Sequence, residues 1–170
     1  MIKSIISIQN SSIIILTFTI VLSLTSCSKK SEEDPTVEKN IATVKKYMDE
    51  MNKGNENYLD EYLADNYSYH GPNGVLDKAG FKAQHHMIIT AFSDINITAK
   101  IIFGEADKVA TRWIMHGKNT GEFNGLPPTG KEFTVTGIII SRFVDGKEVE
   151  AWEEVNQISM MQQLGLMNQQ

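Results

Sequence analysis

Residues 131–156 alternate between apolar and polar side chains with the period of two that is typical of β-strands. Residues 134–144 are rich in β-branched and aromatic side chains, which favour strands. Asp145 and Gly146 follow, and this pair is the sequence signal of a two-residue type I′ turn. The pattern therefore predicts a β-hairpin whose second strand begins at Lys147.

A two-residue loop fixes which side chains of this hairpin share a face. It pairs Ile139 with Trp152, Gly137 with Glu154 and Val135 with Asn156. Successive side chains point to opposite faces of a strand, and a bulge would reverse part of this assignment. The face predicted to form one side of a pocket carries Glu150, Trp152, Glu154 and Asn156.

Three helices are predicted before the long strands. Asp34 and Pro35 are typical of an N-cap and a first helical position, and Gly54 is placed to end that helix. A short second helix is predicted over about residues 56–64, and Asp77 is expected to cap a third that extends to about Phe92. The first helix has an apolar stripe of Val37, Ile41, Val44, Met48 and Met51, and the third one of Phe81, His85, Ile88 and Phe92.

The remaining strands are predicted at residues 67–70, 95–103 and 109–116, and residues 158–166 are expected to form a weak helix or coil. In the strand 95–103 the inward positions are Ile95, Ile97, Ala99, Ile101 and Phe103. This order of elements predicts an α+β fold in which a cone-shaped, strongly curved antiparallel sheet and three N-terminal helices enclose a pocket.

The N-terminus has the pattern of a targeting segment. An apolar run over residues 13–24 is too short to span a membrane. Cys27, the chain's single cysteine, follows this run after two further residues. The sequence Leu24-Thr-Ser-Cys27 resembles the lipobox of bacterial lipoprotein precursors, which implies lipidation of Cys27 and a cell-envelope location; a buried or a catalytic thiol are the alternatives. The predicted division is a signal peptide over 1–26, a tether over 27–35, a domain over 36–166 and a frayed tail over 167–170.

Composition narrows the classes of partner. The net charge of −5 argues against nucleic acid, whose phosphates require a basic surface. The sequence contains no phosphate-binding glycine motif and no set of His, Asp and Glu with the spacing of a metal site. We therefore expect no metal, no nucleotide and no other cofactor.

Five segments resemble the SnoaL-like polyketide cyclases of the nuclear transport factor 2-like superfamily: residues 62–71, 106–113, 121–131, 142–152 and 162–165. The resemblance implies a cofactor-free cyclase or isomerase that acts by general acid/base catalysis on a small carbonyl compound. The family's acid/base aspartate falls at Asn156, and the histidine of a Gly-Thr-His-Thr-Gly run falls at Asn119. Both positions depart from the family pattern, which leaves the reaction open.

Glu154 is the predicted substitute for the missing acid, and a solvated glutamate is the alternative. His116 is a candidate second acid/base group or a strand-end histidine bonded to backbone. Arg112 would orient a carbonyl or pair with an acidic side chain. The predicted catalytic set is Glu154, His116 and Asn156, and the predicted pocket set is Trp152, His70, Tyr69, Arg112 and Asn119. The competing hypothesis is a non-catalytic ligand-binding or scaffold module that forms a homodimer through the outer face of its sheet.

Overall fold

The computed structural model describes residues 34–167. The predicted signal peptide, Cys27, most of the tether and the last three residues of the tail lie outside this range. Within it, no helix is both long enough and apolar enough to cross a membrane.

Four helices and six strands follow one another in the described chain. A single curved, unclosed sheet has the strand order β2-β1-β6-β5-β4-β3. All neighbouring strands are antiparallel except β1 and β6, which are parallel. This confirms the α+β prediction. The elements are α1 Pro35–Asn52, α2 Tyr58–Tyr62, β1 Leu63–Gly71, β2 Gly74–Asp77, α3 Lys78–Ala91, β3 Phe92–Glu105, β4 Lys108–Asn119, β5 Glu132–Val144, β6 Lys147–Val155 and α4 Gln157–Leu164.

The two long N-terminal helices begin where their capping residues predicted. Asp34 Oδ1 accepts a hydrogen bond from the Thr36 amide at 2.8 Å, and Asp77 Oδ1 accepts one from the Gly80 amide at 2.8 Å. At the other end of α1, the Asn52 side chain accepts from the Ile97 amide at 2.7 Å and donates to the Ile97 carbonyl at 3.0 Å. These bonds fix the end of α1 against β3.

The region between α1 and α3 differs from the prediction. Helix α2 ends at Tyr62, and β1 begins at Leu63, four residues before the predicted strand. Strand β2 was not predicted, because it is only four residues long and pairs only with β1 at the edge of the sheet. The parallel pairing of β1 with β6 also departs from the expected antiparallel sheet. The two strands are far apart in the chain, so local sequence patterns did not predict this pairing.

A register shift in β3 corrects the predicted facing of its C-terminal half. Ile97 is buried, but the pairing with β4 shifts between Ala99 and Ile101. Beyond this point the inward residue is Ile102, whereas Ile101 and Phe103 are exposed by 54% and 62%. The prediction that the last two face inward is wrong because a bulge exchanges the two faces of a strand.

A second register shift corrects the facing of β6. Next to the turn, Val144 pairs with Lys147 and Phe143 with Glu148, as the two-residue loop requires. The register then shifts by one residue, so that Ile140 pairs with Trp152 and Gly137 with Val155. The inner face of β6 therefore carries Glu148, Ala151, Glu153 and Val155.

Helix α4 is more regular than predicted. The Asn156 side chain caps it by accepting from the Ser159 amide at 3.2 Å, and Gly165 ends it with a left-handed backbone. Gln163 holds the helix against β5 by accepting from the Thr134 amide at 2.8 Å and donating to the Thr134 carbonyl at 2.9 Å. This position brings Met160 and Met161 to the cavity.

Candidate functional site

A cavity of about 300 Å³ lies between the inner face of the sheet and the helices. Its lining is mostly apolar, as is usual for sites that bind small organic molecules. Six of the chain's eight methionines contribute, and their unbranched side chains adapt to ligands of different shape. These are Met48, Met51, Met87, Met115, Met160 and Met161.

Glu153 is a carboxyl group that lines this cavity from the inner face of β6. It lies opposite Ile139 of β5, and its side chain accepts a hydrogen bond from the Tyr69 hydroxyl at 2.6 Å. Burial raises the pKa of Glu153 above its usual range, while the hydrogen bonds of the Tyr69 and Trp113 side chains oppose this rise. A carboxyl group with a raised pKa can exchange a proton near neutral pH.

Two glycines make room for the two aromatic donors. A Cβ atom at Gly71 would lie 2.5 Å from Cζ of the Tyr69 ring, and one at Gly137 would lie 2.6 Å from Cε2 of the Trp113 ring. Any larger residue would collide with a ring at either position. The Tyr69 and Trp113 side chains thus reach Glu153 across backbone that has no side chain.

Glu148 is a second carboxyl group in the cavity lining, at the end nearest the β5–β6 turn. It is 1% exposed, and its Oε1 has no hydrogen-bond partner in the described structure. Burial raises the pKa of Glu148 to about 8, although the Ser141, Tyr67 and Tyr62 hydroxyls favour the ionised form. The group is therefore mostly neutral at pH 7.

His85 lines the cavity from α3 and is 5% exposed. Its Nδ1 has no hydrogen-bond partner among the described residues and lies 4.0 Å from Oε1 of Glu56. Burial lowers the pKa of His85, and the negative charge of Glu56 opposes that effect. A neutral imidazole is the result expected at pH 7.

Most of the predicted pocket residues of β1 and β6 lie on the outer face of the sheet. Trp152 is 37% exposed and stacks on the His70 ring with centroids 5.5 Å apart. His70 Nε2 lies 3.1 Å from Oε1 of Glu150, and Glu154 is exposed. The prediction that Trp152 and Glu154 face the cavity is wrong because of the register shift in β6. The prediction for His70 is wrong too, because His70 of β1 pairs with Trp152 and lies on the same outer face.

The other predicted residues are also separated from one another. Exposed Arg112 and His116 lie on the outer face of β4, where His116 Nδ1 is 2.7 Å from the Thr134 hydroxyl. Asn156 caps α4, and Asn119 is buried in hydrogen bonds to Ala91, Gly121 and Thr129 that hold the loop before β5. Of the predicted set, the structure places only Tyr69 in the cavity lining, as expected.

Sequence reasoning missed Glu148 and Glu153, although one signal pointed to Glu153. Ala151 and Val155 have the same parity as Glu153 and are apolar, so this face of β6 was as suitable for burial as the face with Trp152. The prediction placed the other face inside because that face carries the large indole of Trp152. The outer face also carries large apolar side chains, such as Ile138 and Ile140, so the size of the Trp152 side chain did not identify the inner face.

Among residues 34–167, no three His, Cys, Asp or Glu side chains lie close enough together to hold a metal ion. The polar groups that line the cavity are carboxyl, hydroxyl, imidazole and amide groups, and they do not form a set of three metal ligands. This chemistry suits hydrogen bonding and proton transfer to an organic molecule.

Comparison with known proteins gives consistent matches. A family model described as SnoaL-like polyketide cyclase matches residues 42–164. The chain is 28% identical over 111 residues to the aklanonic acid methyl ester cyclase AcmA of Streptomyces galilaeus, covering 63% of this chain and 77% of that protein.

Solved structures match over most of the described domain. AclR of Streptomyces galilaeus, a proposed hydroxylase, superposes with a TM-score of 0.73 at 24% identity, covering 78% of this chain and 99% of AclR. IdmH of Streptomyces antibioticus, a proposed polyketide cyclase, superposes with a TM-score of 0.67 at 29% identity, covering 74% of this chain and 98% of IdmH.

Proposed function

Because the chain belongs to the SnoaL-like polyketide cyclase family, we propose that its cavity binds a small apolar compound with a carbonyl group and that Glu153 exchanges a proton with that compound. The observation that carries this proposal is the position of Glu153: an acid with a raised pKa, hydrogen-bonded to Tyr69, in the lining of a mostly apolar cavity. The relative AcmA is named as a cyclase of a methyl ester, which fits this class of ligand.

The proposed chemistry needs no cofactor. The Glu153 carboxylate removes a proton from the carbon next to the ligand's carbonyl group, and the electron pair of the broken C–H bond forms an enolate. In an isomerase the protonated Glu153 returns the proton to another atom. In a cyclase the enolate carbon forms a bond to a second carbonyl carbon of the same molecule, and the resulting alkoxide takes the proton.

The residue at the position of the family's aspartate supports Glu153 as the group that exchanges the proton. Asn156 falls at that position, and its amide cannot exchange a proton at useful pH. The Asn156 side chain is exposed and caps α4. Glu153 is an ionisable group that β6 presents to the cavity three residues earlier and next to the Tyr69 hydroxyl.

Deuterium exchange into 1-tetralone tests the proposal. This aryl ketone has an apolar two-ring body and exchangeable protons next to its carbonyl group. In D₂O near pH 7, the protein is expected to accelerate loss of the C2 proton signal in the NMR spectrum relative to buffer alone. Binding of 1-tetralone, measured by line broadening in the same samples, separates the two hypotheses: binding without accelerated exchange supports a ligand carrier, and no binding contradicts the proposal.

A second candidate function, a dimeric binding or scaffold module, is supported by an apolar surface on the outer face of the sheet. Two rows of outward-facing residues run across β3, β4, β5 and β6. In one row Ile101 of β3 aligns with Ile138 of β5, and in the other Phe103 of β3 aligns with Ile140 of β5 and Trp152 of β6. Exposed apolar surface of this kind is typical of an interface, and a two-fold axis allows one surface to pair with itself. The outer patch is Ile101, Phe103, Ile138, Ile140 and Trp152, exposed by 37–62%.

Ile138→Lys is expected to dissociate the proposed homodimer, because it replaces an apolar side chain of the outer patch with a charged one. Sedimentation velocity at micromolar concentration measures the effect as a shift from dimer to monomer. The matched control is Ile158→Lys, since Ile158 is also an exposed isoleucine, 63% accessible, but lies on α4. Dimers that persist in Ile138→Lys, or a monomeric parent protein, would remove the outer patch as the interface.

Anchoring in the cell envelope is proposed from the sequence Leu24-Thr-Ser-Cys27. Lipid chains attached to Cys27 would hold the protein on a membrane, because two or more acyl chains suffice for stable anchoring. Cys27→Ala is therefore expected to move the protein from the membrane fraction of a bacterial host to the soluble fraction and to abolish labelling by a radioactive fatty acid. Unchanged fractionation and labelling would exclude Cys27 as the anchor.

A further inference from the structure

The end of the cavity nearest the β5–β6 turn contains more polar groups than a purely apolar ligand requires. Glu148 lies there beside the Tyr62, Tyr67 and Ser141 hydroxyls. Ser141 and Tyr62 line the same cavity as Glu148, so a ligand can reach this end. Two buried oxygens at this end, Oε1 of Glu148 and the Tyr67 hydroxyl, have no hydrogen-bond partner among the described residues.

Buried polar atoms without a partner cost free energy, typically more than a satisfied hydrogen bond contributes. Glu148 is the extreme case, because it is a carboxyl group that is 1% exposed and its Oε1 is unpartnered. The local sequence places it there: the two-residue turn pairs Glu148 with the buried Phe143, and the register shift between Phe143 and Arg142 then turns Glu150 outward, where it binds Arg142. An apolar residue would fit the same position without this cost.

We infer that Glu148 forms a second polar subsite of the cavity, which donates a hydrogen bond to an oxygen of the ligand, so that the ligand carries oxygen at two ends: one near Glu153 and one near Glu148. This inference rests on the proposed function, because it assumes that the cavity binds an organic ligand. It deepens that function by assigning the substrate class, an apolar body with two separated carbonyl or hydroxyl oxygens.

The protonation state of Glu148 supports a donor role. Its pKa of about 8 leaves the carboxyl group mostly protonated at pH 7, so it has an O–H group to donate. The ionisable groups around it do not supply a positive charge that would reverse this. They are the Tyr47, Tyr62, Tyr67 and Tyr69 phenols, whose own pKa values are raised by burial, and the Glu153 carboxyl group.

The spacing along β6 supports two subsites rather than one. Glu148 and Glu153 are five positions apart, which corresponds to roughly 15 Å along the strand. The two carboxyl groups therefore approach the cavity from different positions, although the negative charge of Glu153 still contributes to raising the pKa of Glu148. A two-ring compound with an oxygen on each ring can address both.

Three naphthalene probes measure the contribution of each oxygen: naphthalene, 2-naphthol and 2,6-dihydroxynaphthalene. Dissociation constants are measured at pH 7 by calorimetry or by the fluorescence of the probes. We expect the second hydroxyl group to tighten binding to the parent protein by about 3- to 10-fold relative to 2-naphthol, the usual effect of one additional hydrogen bond. Only the difference between the two naphthols is interpreted, so the hydrophobic body cancels.

Two substitutions at Glu148 identify the group that makes this bond. Glu148→Met removes the donor at similar volume, and the gain from the second hydroxyl is expected to fall below about 2-fold. Glu148→Gln keeps an N–H donor and is expected to retain most of the gain. Glu154→Gln, on the outer face, is the control that leaves all three dissociation constants unchanged.

The outcomes separate the inference from the proposed function. If 2-naphthol binds but the second hydroxyl gives no gain, an ordered water satisfies Glu148 and the inference is overturned while the proposed function stands. A gain that persists in Glu148→Met also overturns it, because the second oxygen then binds elsewhere. If none of the three probes binds, the proposed function fails and the inference fails with it.

Discussion

Glu148→Gln is expected to raise the free energy of unfolding by roughly 3–5 kcal/mol at about pH 8.5 and to leave it nearly unchanged at about pH 4.5. Burial raises the pKa of Glu148 from 4.5 to about 8. Between these two values the folded protein holds a proton on Glu148 that the unfolded chain has released. The contribution of Glu148 to stability is therefore fully present below pH 4.5. It is lost as the pH rises from 4.5 to about 8, at about 1.4 kcal/mol for each pH unit.

Glutamine is neutral at every pH and can bond to the same hydroxyl groups, so the substitution removes this pH-dependent loss. Urea unfolding followed by tryptophan fluorescence at about pH 4.5 and about pH 8.5 measures the effect. The matched control is Glu154→Gln, because Glu154 is an exposed glutamate on the same strand. Parallel stability–pH curves for the parent protein and Glu148→Gln would contradict the assignment of a raised pKa to this carboxyl group.

A buried acid that destabilises the folded protein at neutral pH is informative about function. Proteins retain such groups mainly where a site requires them, since a stabilising substitution is readily available. Glu148 has this property at one end of a cavity that also contains Glu153. An apolar residue at this position would remove both the cost to stability and the hydrogen bond to the ligand, and the two sets of variants measure both effects.

Local patterns were sufficient to predict the helices and the fold class. Asp34 and Asp77 cap α1 and α3 through hydrogen bonds to amides two and three residues away, so the signal and its effect lie in one short segment. The turn at Asp145 and Gly146 is local in the same sense, and both residues have the positive φ that a type I′ turn requires. The family resemblance added the curved sheet with a cavity.

The facing of the strands could not be predicted from local patterns. One register shift in β3 exposes Ile101 and Phe103, and one in β6 places Glu153 inside and Trp152 outside. The position of a bulge depends on how neighbouring strands pair, including the parallel contact of β6 with β1 from the start of the domain. A single shifted residue exchanges the two faces, so the candidate site was predicted on the wrong side of the correct strand.

Glu153→Gln is expected to lower the protein-catalysed exchange of 1-tetralone by about 10²- to 10⁴-fold, the usual contribution of one general base. The amide keeps the volume of the side chain but cannot accept and return a proton. Binding of 1-tetralone is expected to change by less than about 3-fold, because the apolar lining is intact. NMR measures exchange and binding in the same sample.

Glu154→Gln is the matched control, since the same substitution at the next residue points to the outer face and is expected to leave exchange unchanged. If exchange instead falls in Glu154→Gln and persists in Glu153→Gln, the inner face of β6 is not the catalytic face.

Tyr69→Phe provides the test that a structural role alone would not pass. The Tyr69 hydroxyl donates to Glu153 at 2.6 Å and thereby lowers the pKa of this carboxyl group, against the effect of burial. Removing the hydroxyl leaves burial less opposed, so the pKa of Glu153 rises further. Because the base form of Glu153 removes the proton, the exchange rate increases as Glu153 ionises, and its pH profile is expected to move to higher pH in Tyr69→Phe. A profile that keeps its midpoint while the rate falls would mean that Tyr69 positions the ligand and does not tune Glu153.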